Sequence, residues 1–265
     1  YSECAGHQLG TDRPLAPRPA AWCAHRDEVD ESSPGPLNSP DLPPATALMT
    51  EPMTRMAPNR LTHFPLCPHS RSIRLLLGEL RLAYEEQIEP PWLWRREFLA
   101  LNPAGSLPVL ELANHMVLCG TYPIAEYLAE EADVLAPDID EPPLFPGDSE
   151  MRAEIRRLVD WFHLKCHREV TQDLIYEKHH ARAAGVAGHS PNSDVLIATT
   201  RNLKQHLRYL GFLTDYRRWL AGDAMSFADL AAAGHVSCLD YLGVINWDLH
   251  PSAREWYMRL KSRRS

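Results

Sequence analysis

Four short stretches carry residue types that could do chemistry. In Asn102-Pro103-Ala104-Gly105-Ser106-Leu107-Pro108-Val109-Leu110, Pro108 opens an apolar run that reads as a buried strand, a place where proline makes sense mainly with a cis bond before it. A cis bond turns the carbonyl and amide of Leu107 outward, where an extended peptide can pair with them as an added strand. A plain loop proline entering an edge strand is the other reading. In Cys67-Pro68-His69-Ser70, a thiol stands just before a proline suited to the first helical position. Its sulfur then faces the positive end of a helix, which lowers a thiol pKa and raises its thiolate content; a half-buried cysteine with no role fits the same residues. At 100° per residue, Arg157, Trp161, Lys165 and Arg168 fall within an arc of roughly 80° beside an apolar stripe. Such a basic, aromatic-bearing face suits an acidic protein partner, and a solvated helix face with a tryptophan packed at a domain junction is the bland alternative. Ser226-Phe227-Ala228-Asp229 is a capping box with a structural role, the serine serving the amide of Asp229 while the carboxylate reaches back.

The elements that must hold these residues can be read from apolar spacing. Arg60 to Phe64 alternates like a strand, and Ser70 to Leu80 has Ile73, Leu76, Leu77 and Leu80 at helical spacing. Leu82 to Glu89 reads as a strand and Trp92 to Leu101 as a short helix. Leu107 to Leu112 with Met116 to Cys119 reads as a hairpin, and Thr121 to Glu130 as a closing helix. The order βαβαββα is that of a thioredoxin-like sheet. Prolines 137, 142, 143 and 146 mark a linker. Beyond it every segment is helical: Glu150 to about His180, Ser193 to Leu213, Ser226 to Leu242 and Pro251 to Lys261. The predicted organisation is a disordered Pro-rich extension over 1–58, a thioredoxin-like α/β domain over 59–133, a linker over 134–149 and an all-α domain over 150–265.

Composition narrows the functions. Ten of the 23 prolines fall within residues 1–58, a stretch without apolar period that cannot bury enough surface to fold alone. The chain opens on Tyr1, and Met49, Met53 and Met56 stand just before the first patterned segment. The stretch therefore reads either as a disordered extension or as sequence outside the native protein. No apolar run approaches the roughly 18 residues of a membrane span, and the expected location is the cytoplasm. A net charge of −8 argues against nucleic acid or an anionic membrane as main partner. The six cysteines lack the spacing of a zinc site or the density of a disulfide scaffold and read as free thiols. None of the 13 histidines forms a metal-ligand spacing on a shared helical face, so no metal is expected.

Residues from about Asn59 to Ser265 resemble the glutathione transferase superfamily. Asn102 to Leu110 is similar to its loop before a cis-proline, Thr121 to Leu128 to the helix after its fourth strand, and Ser226 to Asp229 to its capping box. The resemblance implies the glutathione-transferase fold, a homodimer, no resident cofactor, and glutathione as co-substrate or ligand at Leu107, Pro108 and Thr121. It places the catalytic position at Thr62 or Cys67, and Cys67-Pro68-His69-Ser70 also resembles the single-cysteine motif of glutaredoxin-like and omega-type transferases. The chain departs from that pattern at Gly120, where the superfamily usually has an acidic residue that pairs with the glutathione amino group.

A narrower resemblance, to the FzlA family of bacterial division proteins, accounts for this departure. It rests on Trp92 with Arg95 and Glu97-Phe98-Leu99, Leu118-Cys119-Gly120, Val159-Asp160-Trp161-Phe162, Lys165, His167 to Thr171, and Cys238 to Leu242. That family has the transferase fold and binds the tubulin-like protein FtsZ. The resemblance implies FtsZ as partner at the division site, held through Trp92, Arg157, Trp161, Lys165 and Arg168. Thr62 and Cys67 depart from that family's pattern, which has Tyr and a non-thiol residue there. Two functions stay open: a non-catalytic FtsZ-binding cell-division regulator, and a glutathione-dependent transferase or thiol reductase using Cys67. A stress protein that holds glutathione without turnover is a third.

Overall fold

The computed structural model describes residues 58–135, 137 and 144–263, all within one compact unit, Met53–Ser265. The extension expected over 1–58, save its last residue, and the middle of the expected linker lie outside the described residues.

The first half builds a four-stranded mixed sheet. Strand β1 (Asn59–His63) leads into α1 (Pro68–Glu79), which has proline in its first turn and buries Ile73, Leu76 and Leu77 on one face. Strand β2 (Tyr84–Ile88) returns parallel to β1, with Leu61 opposite Glu86. A short helix, α2 (Arg96–Leu101), precedes the hairpin of β3 (Val109–Glu111) and β4 (Val117–Cys119). The strand order β2-β1-β3-β4, antiparallel from β1 to β4, is the thioredoxin-like sheet the element order predicts. Helix α3 (Thr121–Glu130) and the single turn α4 (Ala132–Leu135) complete this half.

The largest boundary difference from the sequence reading is at α2. Helix α2 begins at Arg96 rather than Trp92, because Pro90 and Pro91 favour a turn, closed by the Leu93 amide donating to the Pro90 carbonyl at 3.1 Å. Trp94 then takes a φ of +47°, which no helix accommodates.

The second half is helical. A long helix over residues 149–183, here α5, starts under the Asp148 carboxylate, which accepts from the Met151 amide at 3.0 Å. It is α-helical over Ser149–Asp160, winds as a π-helix over Trp161–Thr171, and continues through Gln172–Ile175, a second π turn at Tyr176–His180, and Ala181–Ala183. Helix α6 (Ser193–Tyr216) is capped by Asn192, whose side chain accepts from the amides of Asp194 and Val195. Helix α7 (Phe227–Tyr241) is buried nearly all round, and α8 (Pro251–Lys261) follows.

One core runs through both halves, from Leu61, Ile73 and Leu76 to Ile155, Phe162, Phe227 and Trp256. At the head of α7 the fully buried Asp229 accepts from the Ser226 amide at 3.1 Å, the Leu220 amide at 2.9 Å and the Trp256 indole at 2.9 Å. Burial pushes its carboxyl up against the pull of these hydrogen bonds.

Candidate functional site

The chain approaches β3 through a loop that Asn102 organises. Its side-chain amide donates to the Ser106 carbonyl at 2.8 Å and its oxygen accepts from the Ala104 amide at 3.2 Å. The chain then enters β3 through a cis Leu107–Pro108 bond. The Pro108 carbonyl accepts from the Gly120 amide at 2.9 Å, which brings the head of α3 beside Leu107. Gly120 has a φ of +90°, a conformation that favours glycine, and contributes no side chain to the cleft. Thr121 is buried at the first position of α3.

Cys67 caps α1 at the same end of the sheet; its carbonyl accepts from the Arg71 amide at 3.0 Å. Burial alone would push its thiol up, but hydrogen bonds from His69 and Ser70 outweigh that and leave the pKa below the ordinary value. The contrast with the other described cysteines is sharp: burial drives Cys166 and Cys238 up to about 12 and also raises Cys119. Thr62 is 2% exposed in β1, its hydroxyl without a hydrogen-bond partner among the described residues, so it presents no oxygen at the surface of the cleft. Cys67, Leu107 and Trp92 instead share an apolar cluster with Phe64, Leu66 and Ile175. Trp92 meets Phe64 edge-on at 5.3 Å between centroids and lies 5.2 Å from His180 of α5. Side chains from the sheet half and from α5 thus pack together over Leu107.

The basic face divides. Arg157 donates to both carboxylate oxygens of Glu154, at 2.7 and 2.9 Å, and to the Tyr209 hydroxyl at 2.9 Å. Trp161 packs on Tyr209 at 4.3 Å and lies under the Lys165 ammonium at 5.6 Å. Lys165 is paired with Glu169, which also accepts from His206 at 3.0 Å. A groove of about 720 Å³ between α5 and α6 is lined by Trp161, Lys165, Glu169, His206, Tyr209 and Phe212, among others. Arg168 is exposed and lies outside that lining. The reason is the π winding, in which each amide reaches one residue further back, as from Gln172 to the His167 carbonyl. The 100° step therefore fails beyond Trp161 and turns Arg168 away from Lys165, whose partner is Glu169 four residues on. Trp92, packed at the cleft mouth, is not brought to this face.

Sequence spacing also missed a histidine cluster at the junction of α1, α5 and α7. His69, His163 and His235 each offer a ring nitrogen, all within 4.8 Å of one another. The pair His163 and His167, four apart on α5, was the one local signal; the third and fourth rings come from other helices.

A family model described as the glutathione S-transferase N-terminal domain matches residues 61–141, and one described as the C-terminal domain matches residues 172–263. The chain belongs to the glutathione S-transferase family. Within it, FtsZ-localized protein A of Caulobacter vibrioides is 42% identical over 206 residues, 77% of this chain and 86% of that protein. The solved structure of FzlA from C. crescentus superposes with a TM-score of 0.72 at 40% identity, covering 78% of this chain and 89% of that one. A crystal structure of a glutathione S-transferase from Rhodospirillum rubrum gives a TM-score of 0.71 at 44% identity, over 77% and 88% of the two chains. Among the described residues no helix is long and apolar enough to cross a membrane.

Proposed function

We propose that this chain is a non-catalytic FtsZ-binding regulator of cell division that works as a cytoplasmic homodimer at the division site. The observation that carries the reading is Gly120. It sits against Pro108, where the transferase pattern supplies a carboxylate for the glutathione amino group. Losing that charge-assisted contact forfeits about 1.5–3 kcal/mol, a tenfold or greater loss of affinity. The similarity to FtsZ-localized protein A over most of both chains supports the partner. The groove at Trp161 and Lys165 offers aromatic and cationic groups that an acidic filament would engage, with Arg157 and Arg168 exposed outside its lining. A dimer with two such faces gains from effective concentration when it bridges neighbouring filaments.

Co-pelleting with GTP-assembled FtsZ tests this: the protein should sediment with filaments at micromolar concentration, and its absence from the pellet would end the proposal. A second reading, a glutathione-dependent transferase or thiol reductase, is favoured by the lowered pKa of Cys67 and by the Leu107 backbone, which makes no backbone hydrogen bond among the described residues. It predicts a measurable heat of glutathione binding, whereas the binding-protein reading predicts none.

A further inference from the structure

We propose that His69, His163 and His235 form a binding site for one divalent late first-row transition ion of the zinc class, held where α1, α5 and α7 meet. The argument begins with which nitrogens carry protons. His163 and His235 are 3% and 0% exposed, and among the described residues their ring nitrogens meet only hydroxyls and each other, never a carboxylate. Both rings are therefore neutral, the form that ligates metals. The Ser72 hydroxyl donates its one proton to the His69 carbonyl at 2.7 Å. At 3.3 Å from His163 Nε2 it accepts, which puts the His163 proton on Nε2 and leaves a lone pair on Nδ1.

That lone pair points at His235 Nε2, 3.1 Å away. On the far side of the second ring, His235 Nδ1 lies 3.0 Å from the Thr171 hydroxyl, itself 3.1 Å from His167 Nδ1. Thr171 can accept the His235 proton and donate to His167, which frees His235 Nε2 as a second lone pair facing the first. Each inner nitrogen is thus backed by a hydroxyl on its outer nitrogen, the arrangement that orients metal-bound imidazoles. Two nitrogens at about 2.0–2.1 Å from one tetrahedral ion stand about 3.3 Å apart, close to the 3.1 Å observed. A proton shared between the two rings is the competing occupant of that gap.

His69 supplies the third nitrogen: its Nε2 lies 3.2 Å from the His163 carbonyl, which only accepts, so the lone pair sits on Nδ1, and binding the ion takes that ring away from the Cys67 thiol it otherwise serves. His69 is only partly buried and stacks on His163 at 4.6 Å between centroids. A swing of roughly 1.5 Å closes the 4.8 Å span to ligand spacing, and the partly open side of the ring is the entry path. The His163 end of the site lies within the π-helical stretch Trp161–Thr171, a winding that recurs at functional sites. Three neutral imidazoles leave a fourth position for water.

The test uses the full chain stripped with EDTA and titrated with zinc against a chromophoric chelator, with cobalt as a spectroscopic probe. One equivalent per chain should bind at micromolar affinity or tighter, and cobalt should give the visible bands of a four-coordinate site. His163→Gln and His235→Gln should weaken binding at least a hundredfold, while His115→Gln, on an exposed turn, should leave it unchanged. His69→Gln covers the case in which the two buried variants do not fold: zinc should raise the Tm of the wild-type chain and leave that of His69→Gln unmoved. Binding of equal strength in wild type and His69→Gln, or no binding to the wild type, would overturn the site.

Discussion

Cys67 is where opposing effects on one thiol meet. Burial works against the thiolate, yet the hydrogen bonds from His69 and Ser70 prevail and the pKa falls below its ordinary value. Among the four described cysteines, iodoacetamide at pH 7.5 should therefore modify Cys67 first, with Cys166 and Cys238, driven up to about 12, unlabelled in the native state. Peptide mapping checks this, and an alkylation midpoint at or above the usual 8.5 for Cys67 would contradict the hydrogen-bond account. Asp229 concentrates polar bonding at another single residue. Its carboxylate serves the amides of Leu220 and Ser226 and the Trp256 indole from a fully buried position. Asp229→Ala strands these donors in the core, so urea denaturation should show a loss of about 3 kcal/mol or more.

At the scale of elements, the two halves are joined by the close approach of α1 and α7. Gly234 makes it possible: a Cβ there would stand 2.4 Å from the Pro68 carbonyl oxygen and 3.1 Å from the Ser72 amide nitrogen. Both are backbone atoms, so neither can move aside alone. Gly234→Ala should cost about 1–3 kcal/mol in a chemical denaturation curve despite its better helix propensity. The start of α5 is tied to α6 and the turn after it through Glu154, which accepts from Arg157 and, at 2.9 Å, from Arg217. The Arg157 hydrogen bonds, opposed by partial burial and aided by Arg217, hold the carboxyl down from its ordinary 4.5 to about 2. With the folded-state value depressed, the contribution is complete above about pH 4.5 and is lost as pH falls through about 2. Glu154→Gln should cost on the order of 1 kcal/mol at pH 7, the guanidinium groups being solvent-screened. The difference from wild type should vanish near pH 2.

For the whole molecule, binding through a cationic and aromatic groove predicts a response to charge and salt. Reversing Lys165 and Arg208, the two cations that line the groove, together to Glu should weaken co-pelleting with FtsZ filaments at least tenfold. Raising salt to about 0.5 M should weaken the wild type in the same direction by screening. Circular dichroism must stay unchanged for the comparison to count, and unimpaired pelleting by the double variant would move the contact elsewhere. Sedimentation at twice the 30.0 kDa chain mass checks the homodimer.

The sequence alone determined what depends on local chemistry. Pro68 at a helix start, the hairpin after Pro108, Thr121–Glu130 and Pro251–Lys261 are set by turn residues and apolar spacing within a few positions, and together they order a thioredoxin-like sheet before a helical half. What it could not determine is what distant segments do to one another. The helical wheel assumed one pitch throughout, whereas Trp161–Thr171 winds as a π-helix, turning Arg168 out of the groove. The rotation of Trp92 onto Phe64 and His180, and the meeting of His69 with His163 and His235 across 94 and 72 residues, likewise have no local signature. Side chains far apart in the chain converge only once the core has fixed how the helices cross.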